Sequence, residues 1–309
     1  MTDNSRSTPE FTQNTDPMTA SSVQARPVTH YENFPVASWL CPRAIRPAVA
    51  ALYHFARTAD DIADEGTQTA AQRLLELDRY GEALLLADSS TPYPAAAPWH
   101  GIMQPLQAAI HQHQLPLSLL QDLLTAFRRD IHHSEQAAIY ASHDDLLDYA
   151  RYSANPVGRL MLHLYGVHDA VSLQQSDAIC SALQLYNFWQ DISVDVPRGR
   201  YYLPQDLCQA HGVDARRPAA SPQPAIQALV AALLDRADDL MHTGMPLPAT
   251  VSHQAGHLSG WELRLVMQGG WRIGRKTRAL GGRIATQRPR IGKADAPALL
   301  WASLRHRLT

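Results

Sequence analysis

At 309 residues, 45% hydrophobic and 18% charged, with a net charge of −2, the chain has the composition of an ordinary globular protein. That charge balance excludes a general nucleic-acid binder, which needs a basic surface. Three cysteines (Cys41, Cys180, Cys208) are too few for a disulfide framework and too far apart for a zinc knuckle, and they fit a reducing cytosol.

Residues 1–29 are polar, rich in Thr, Ser, Asn and Pro, and lack the apolar run of a signal peptide, so a disordered tail is expected there. No window of 18 apolar residues follows, so no membrane-spanning helix is expected and the protein is placed in the cytoplasm. From Arg43 the pattern turns helical. Val49, Leu52, Ala56, Ala59 and Ala63 form a buried stripe, with Pro47 in the first turn and Gly66 as the stop. Beside that stripe Tyr53, Arg57, Asp60, Asp61 and Asp64 project from one side of the same helix.

Amphipathic runs predict further helices over 70–88, 101–114 and 117–132, with His132-His133 as a helix end. Loops at Ser90 to Pro98 and Arg217 to Pro224 are too short to separate domains. Strand-like alternation is nearly absent, so the class is all-α. None of the 15 histidines falls in a His-Glu-x-x-His pattern, so they are not read as metal ligands. Ser142-His-Asp-Asp145 resembles an N-terminal cap for the next helix, which runs into Asn155-Pro156-Val157-Gly158. Two readings stand for that break. It is a purely architectural joint, or a kink that opens a cavity with Tyr149, Tyr152 and Ser153 on its wall.

The second acidic element is Gln184-x-x-Asn187-x-x-x-Asp191-x-x-x-Asp195. At ~100° per residue, with Gln184 at zero, these side chains fall near about −60°, −20° and +20° on one stripe of a single predicted helix. Phe188, near about +40° on the same count, either reaches this zone or packs in the core. Like charges at i, i+4 cost a helix roughly 0.2–0.5 kcal/mol per pair, so an acidic stripe carried twice calls for a cation. Pro197 ends the helix, and Arg198, Arg200, Tyr201 and Tyr202 follow beside the carboxylates. Mg²⁺ binds through one or two carboxylates plus substrate phosphate oxygens, and arginines make bidentate bonds to phosphate. The residues therefore read as a helical cage for Mg²⁺ and a diphosphate; the alternative is internal neutralisation of the acidic faces by the arginines.

Phe55 to Glu65, and Gln184 to Asp195 followed by Gly199-Arg200-Tyr201-Tyr202-Leu203-Pro204, resemble the two signatures of the squalene/phytoene synthase family. The resemblance covers about His30 to Lys293. It implies a single-domain isoprenoid synthase helical bundle with a central catalytic cavity over 30–293, followed by a C-terminal helix or tail over 294–309. It implies metal-binding roles for Asp60, Asp64, Asp191 and Asp195, with Asn187 beside them. It further assigns substrate contacts to Arg57, Arg200, Tyr202 and Arg272, while Tyr53 and Gln184 complete the two faces. Tyr31-Glu32-Asn33-Phe34 and Gln190 depart from condensing members, which carry Ser-x-Ser-Phe and an arginine. His30 to Ser38, Ser153 to Arg159 and Asn187 to Asp191 most resemble the hopanoid-pathway branch, which ionises presqualene diphosphate, rearranges the cation and quenches it with water to hydroxysqualene, and these departures support that placement. Tyr149 and Asn155 are the candidates for positioning that water.

Three alternatives have distinguishable marks. A complete squalene or phytoene/dehydrosqualene synthase would condense two prenyl diphosphates. A cyclising terpene synthase would carry an Asn-Asp-x-x-Ser-x-x-x-Glu motif, absent here. A non-catalytic partner in a prenyl-transferring complex would lack the metal carboxylates, yet all four are present. Gly269-Gly270-Trp271-Arg272-Ile273-Gly274 lies in a helical context without a preceding strand and fails the test for a dinucleotide fingerprint. Leu258 to Leu280 is amphipathic and then basic (Arg264, Arg272, Arg275, Lys276, Arg278). It reads as a helix that lies on an anionic membrane, or as a packed bundle helix with a solvated basic end. Besides the prenyl diphosphate, upstream and downstream squalene-pathway enzymes are expected partners.

Overall fold

The computed structural model describes residues 41–305, of which Arg305 is described in its backbone alone. The expected tail over 1–29 and the Tyr31 to Phe34 motif lie outside the described residues. Among those described, 13 α-helices, four short 3₁₀ helices and one isolated bridge, Ile139 to Tyr201, make up the regular structure, and no strand is present. The all-α expectation is borne out.

The first four helices pack as one bundle around a shared core: α1 (Arg46–Asp64), α2 (Ala70–Asp88), α3 (His100–His113) and α4 (Leu117–Glu135). Their termini fall close to the predicted ones. Pro47 occupies the first turn of α1, Thr69 and Gln72 close a capping box on α2, and His132-His133 sit in the last turn of α4. Phe55, Ala59, Leu77, Tyr80, Leu84, Met103, Leu106 and Leu120 are fully buried between these helices. Tyr80 is stacked on Phe55 with ring centroids 5.2 Å apart, and its hydroxyl donates to the Phe55 carbonyl. The apolar side of α1 is thereby fixed inward, which leaves its acidic side outward.

The second core gathers on α7 (Ala170–Gln190), joined to the first by α5 (His143–Ser153) and α6 (Asn155–Leu164). Ser142 and Asp145 form the expected capping box on α5. The Asn155-Pro156 joint is architectural. The chain breaks at Ala154, Pro156 sits in the first turn of α6, and Gly158 lies against α7. A Cβ at Gly158 would stand 2.5 Å from both Cys180 Sγ and Ser176 Oγ, so only glycine permits this approach. Asn155 is buried and accepts a hydrogen bond from Ser181 Oγ at 3.1 Å, which commits it to the same contact.

The predicted single helix over the second acidic element is interrupted. α7 ends at Gln190, Asp191 takes φ −101°, ψ 8°, and a four-residue α8 (Ile192–Asp195) follows. Backbone bonds from Asp191 N to Asn187 O (3.0 Å) and from Asp195 N to Asp191 O (2.8 Å) keep the two carboxylates about one turn apart. A 3₁₀ turn at Val196–Arg198 then closes on Gly199 at φ +76°.

The chain continues through α9 (Gln205–His211), α10 (Gln223–Thr243), α11 (Leu247–Ala255), α12 (His257–Leu280) and α13 (Ala296–Arg305). Two glycines of the Gly269–Gly274 run, Gly270 and Gly274, serve packing. A Cβ on Gly270 would stand 2.6 Å from Leu183 Cδ2, and one on Gly274 would stand 2.8 Å from Tyr186 Cε1. α12 is a bundle helix: Arg278 pairs with Asp235 and Asp238 on α10, and Arg272 and Lys276 both pair with Asp295. Arg272, Lys276 and Arg278 of the basic run thus meet acidic partners within the chain.

Candidate active site

The outward side of α1 is the first wall. Arg57 pairs with Asp60 at 2.9 Å, Asp61 at 2.7 Å and Glu65 at 3.2 Å, all within reach of one turn or two of the same helix. Asp64 is held from across the site by Arg200 at 2.8 Å. Arg200 reaches it because Gly199 turns the chain back and the Arg200 amide donates to Asp195 O at 3.0 Å. One arginine therefore ties the first acidic element to the second. Tyr53 is half-buried on this wall, edge-on to His54.

The second wall is made by the end of α7 and by α8. Arg288 grips Asp191 with a two-pronged contact, Nε to Oδ1 at 2.5 Å and Nη2 to Oδ2 at 2.9 Å. Sequence reasoning missed Arg288, which stands 97 residues away from its partner. The buried Gln190 amide donates to the Pro289 carbonyl at 2.8 Å and fixes the segment that carries Arg288. Burial first, and the Asp191 charge second, push the Asp195 carboxyl up to about 6 against the pull of Arg200, Arg198 and Arg288. Gln184 and Asn187 are half-buried on the same helix.

Beneath the walls lies a group that no motif announced. Asp130, on α4, accepts a 2.7 Å hydrogen bond from the Tyr149 hydroxyl. Burial pushes the Asp130 carboxyl up to about 7; the Tyr149 bond and Arg200 lower it, while Asp64 and Asp60 raise it. A small cleft beside it is lined by Asp130, His133, Tyr140, Arg200 and Tyr202. Aromatic rings pack around this point. Phe188 and Tyr202 stack at 3.9 Å, and Tyr140 lies 6.0 Å from both Tyr202 and Tyr149. Phe188 is buried, so core packing holds for it, but its ring forms the floor on which Tyr202 rests.

The remaining expected residues are placed as follows. Tyr149 is buried with its hydroxyl committed to Asp130, Tyr152 lies under the guanidinium groups of Arg129 and Arg151, and Ser153 Oγ donates to the Tyr149 carbonyl. Arg272 is bonded to the buried Asp295 at 2.7 Å, in a triad with Lys276, rather than to either acidic wall. Asp295 is itself held well below the usual carboxylate range, first by the Lys276 bond and then by the Gly292 amide.

Among the described residues no three His, Cys, Asp or Glu side chains converge as a ready-made metal cluster. The carboxylates Asp60, Asp64 and Asp191 instead carry guanidinium partners. Those arginines keep partial exposure, and Asp195 stands half-buried beside a like charge. Hard oxygen donors on two walls, balanced by cations that can be exchanged, fit a divalent ion that arrives with a phosphate-bearing ligand.

Residues 28–295 match the family described as squalene/phytoene synthase. A hydroxysqualene synthase of Rhodopseudomonas palustris is 36% identical over 237 residues, 76% of each chain. One from Sinorhizobium fredii is 39% identical over 197 residues, 63% of each chain. The crystal structure of squalene synthase HpnC from Alicyclobacillus acidocaldarius superposes with a TM-score of 0.69 at 34% identity, over 82% of this chain and 90% of that one.

Proposed function

The chain belongs to the squalene/phytoene synthase family, and we propose that it is a hydroxysqualene synthase that takes presqualene diphosphate, releases diphosphate and adds water to the resulting cation. The observation that supports this best is the pair of acidic walls bridged by Arg200 over a buried aromatic floor.

In this reading Asp60, Asp64, Asp191 and Asp195, with Asn187 beside them, hold Mg²⁺, which supplies Lewis-acid charge to the departing diphosphate. Arg57, Arg200 and Arg288 exchange their carboxylate partners for phosphate oxygens, a trade that keeps charge-assisted bonds on both sides. Loss of diphosphate breaks one C–O bond and leaves a carbocation. The faces of Tyr140, Tyr202 and Phe188 stabilise that positive charge and keep bulk water away. Quenching forms a new C–O bond with one water and frees one proton. Asp130, with its carboxyl pushed up to about 7, is matched to accept that proton, and Tyr149 fixes its orientation. Gln190, which the sequence marks as a departure from condensing members, anchors the Arg288 segment. Among the described residues no helix is long and apolar enough to cross a membrane. A cytoplasmic protein that meets its thirty-carbon substrate at the inner membrane surface fits this chemistry.

The test is a substrate comparison on purified protein with Mg²⁺. Presqualene diphosphate and farnesyl diphosphate are supplied separately, with and without NADPH, and the organic extract is analysed by mass spectrometry. Hydroxysqualene from presqualene diphosphate alone, indifferent to NADPH, is the expected result. Squalene or a carotenoid precursor from farnesyl diphosphate would replace this reading with that of a condensing synthase.

A further inference from the structure

α13 leaves an apolar face outward at the end of the bundle. Leu300, Trp301 and Leu304 are 44%, 59% and 61% exposed, and at ~100° per residue they share one side with Pro297. The roll of the helix is fixed from the other side. Ser303 is buried, and its hydroxyl accepts a hydrogen bond from Trp261 Nε1 at 3.0 Å while donating to the Leu300 carbonyl. Scattered exposed apolar residues need no explanation, but a contiguous face with a tryptophan marks an interaction surface.

The charge around the face is one-sided. From Arg290 to the start of α13 the sequence holds Arg290 and Lys293 against one acidic residue, Asp295. That aspartate is buried and held by Arg272 and Lys276. Arg290 and Lys293 stand exposed just ahead of α13. On α12, Arg272, Lys276 and Arg278 cannot play this part, since they are committed to Asp295, Asp235 and Asp238.

We propose that the outer face of α13, with Arg290 and Lys293 at its edge, is a docking surface for an anionic phospholipid bilayer. A leucine-tryptophan face flanked by cations matches the boundary between acyl chains and anionic headgroups. A second copy of the chain would bring the same cations to the same face and be repelled. The docking helix is also coupled to the candidate site by one continuous segment. Arg288 holds Asp191, Pro289 is held by Gln190, Arg290 O accepts from Lys276, and Asp295 leads into α13. The proposal deepens the functional reading above, because a lipid-borne prenyl diphosphate gives docking its use; vesicle binding is measured without substrate, so the two can fail separately.

The experiment is co-sedimentation of the full-length protein with vesicles of phosphatidylcholine alone or mixed with phosphatidylglycerol, over a salt titration. Wild type is expected to bind the anionic vesicles and to lose binding as salt rises. Trp301→Ser with Leu304→Ser, and separately Arg290→Gln with Lys293→Gln, are each expected to weaken binding by about tenfold or more. Melting temperatures check folding; if the apolar variant unfolds, the charge variant and the salt titration carry the decision. Absence of wild-type binding at low salt, or undiminished binding by both variants, would overturn the proposal. So would a dimer by light scattering that the apolar variant converts to monomer, since the face would then belong to a second copy.

Discussion

At the scale of single residues, the carboxylates separate into those that stabilise the fold and those that strain it. Asp130 and Asp195 both sit above the ordinary carboxylate range, chiefly through burial. An acid raised in the folded state contributes stability below its unfolded value, near pH 4, and loses it as pH climbs through the folded value. The metal-free protein should therefore gain more from Asp130→Asn at pH 7.5 than at pH 5, as read by calorimetry in EDTA; asparagine still accepts the Tyr149 hydroxyl. Asp195→Asn should raise metal-free stability at neutral pH by about 1–2 kcal/mol, because one of two neighbouring, half-buried like charges is removed. Both Asp60→Asn and Asp191→Asn should leave the fold intact while turnover collapses. Unchanged turnover in both would sink the role given to the acidic walls. Arg57→Lys keeps the charge but loses the fork that now spans Asp60 and Asp61, so a marked fall in activity at unaltered melting temperature is expected.

Elements meet through glycines and through one anchored segment. Gly158→Ala would press a methyl group to 2.5 Å from Cys180 Sγ and Ser176 Oγ, forcing α6 off α7. Overpacking of this kind costs about 1–3 kcal/mol, so the melting temperature should fall by several degrees. The segment after α12 is held at three places, by Gln190 on Pro289, by Lys276 on Arg290 O and by the triad on Asp295. Asp295 lies below the ordinary carboxylate range, so its contribution is present at neutral pH and lost only as pH falls through that depressed value. Asp295→Ala leaves Arg272 and Lys276 without their shared partner. Hydrogen exchange should then speed up in α13 and across 288–292 more than in α1 to α4, whereas uniform acceleration would count against a local anchor.

For the whole molecule, the acidic walls and the lipid-facing helix belong to different parts of the chain and respond to different agents. Removal of divalent metal by EDTA should abolish diphosphate release yet leave vesicle binding unchanged. High salt should do the reverse, because attraction between exposed charges is screened beyond about 10 Å at 0.1 M salt, whereas the direct contacts proposed for a bound divalent ion are far shorter. Loss of both together would mean that docking and the candidate site are one surface.

What the sequence determined by itself is whatever repeats along a helix. The apolar period of α1, the carboxylates Asp60, Asp64, Asp191 and Asp195, the capping box at Ser142, and the break at Asn155-Pro156 are all spaced by rules that act within one or two turns. The family signatures are readable for the same reason. Tertiary structure alone decided who meets whom across the bundle. Asp130 carries no local motif, and its raised carboxyl exists because α4 buries it beneath Asp64 and Asp60. Arg288 reaches Asp191 from 97 residues away, and Arg272 turns to Asp295 because the chain after α12 folds back to place a buried carboxylate there. The break at Asp191, too, lies where a single helical period would have run on unbroken. Periodicity fixes which side of a helix a residue occupies, but an ion pair or a buried charge is set by the element that packs opposite, and that choice is made only when the bundle closes.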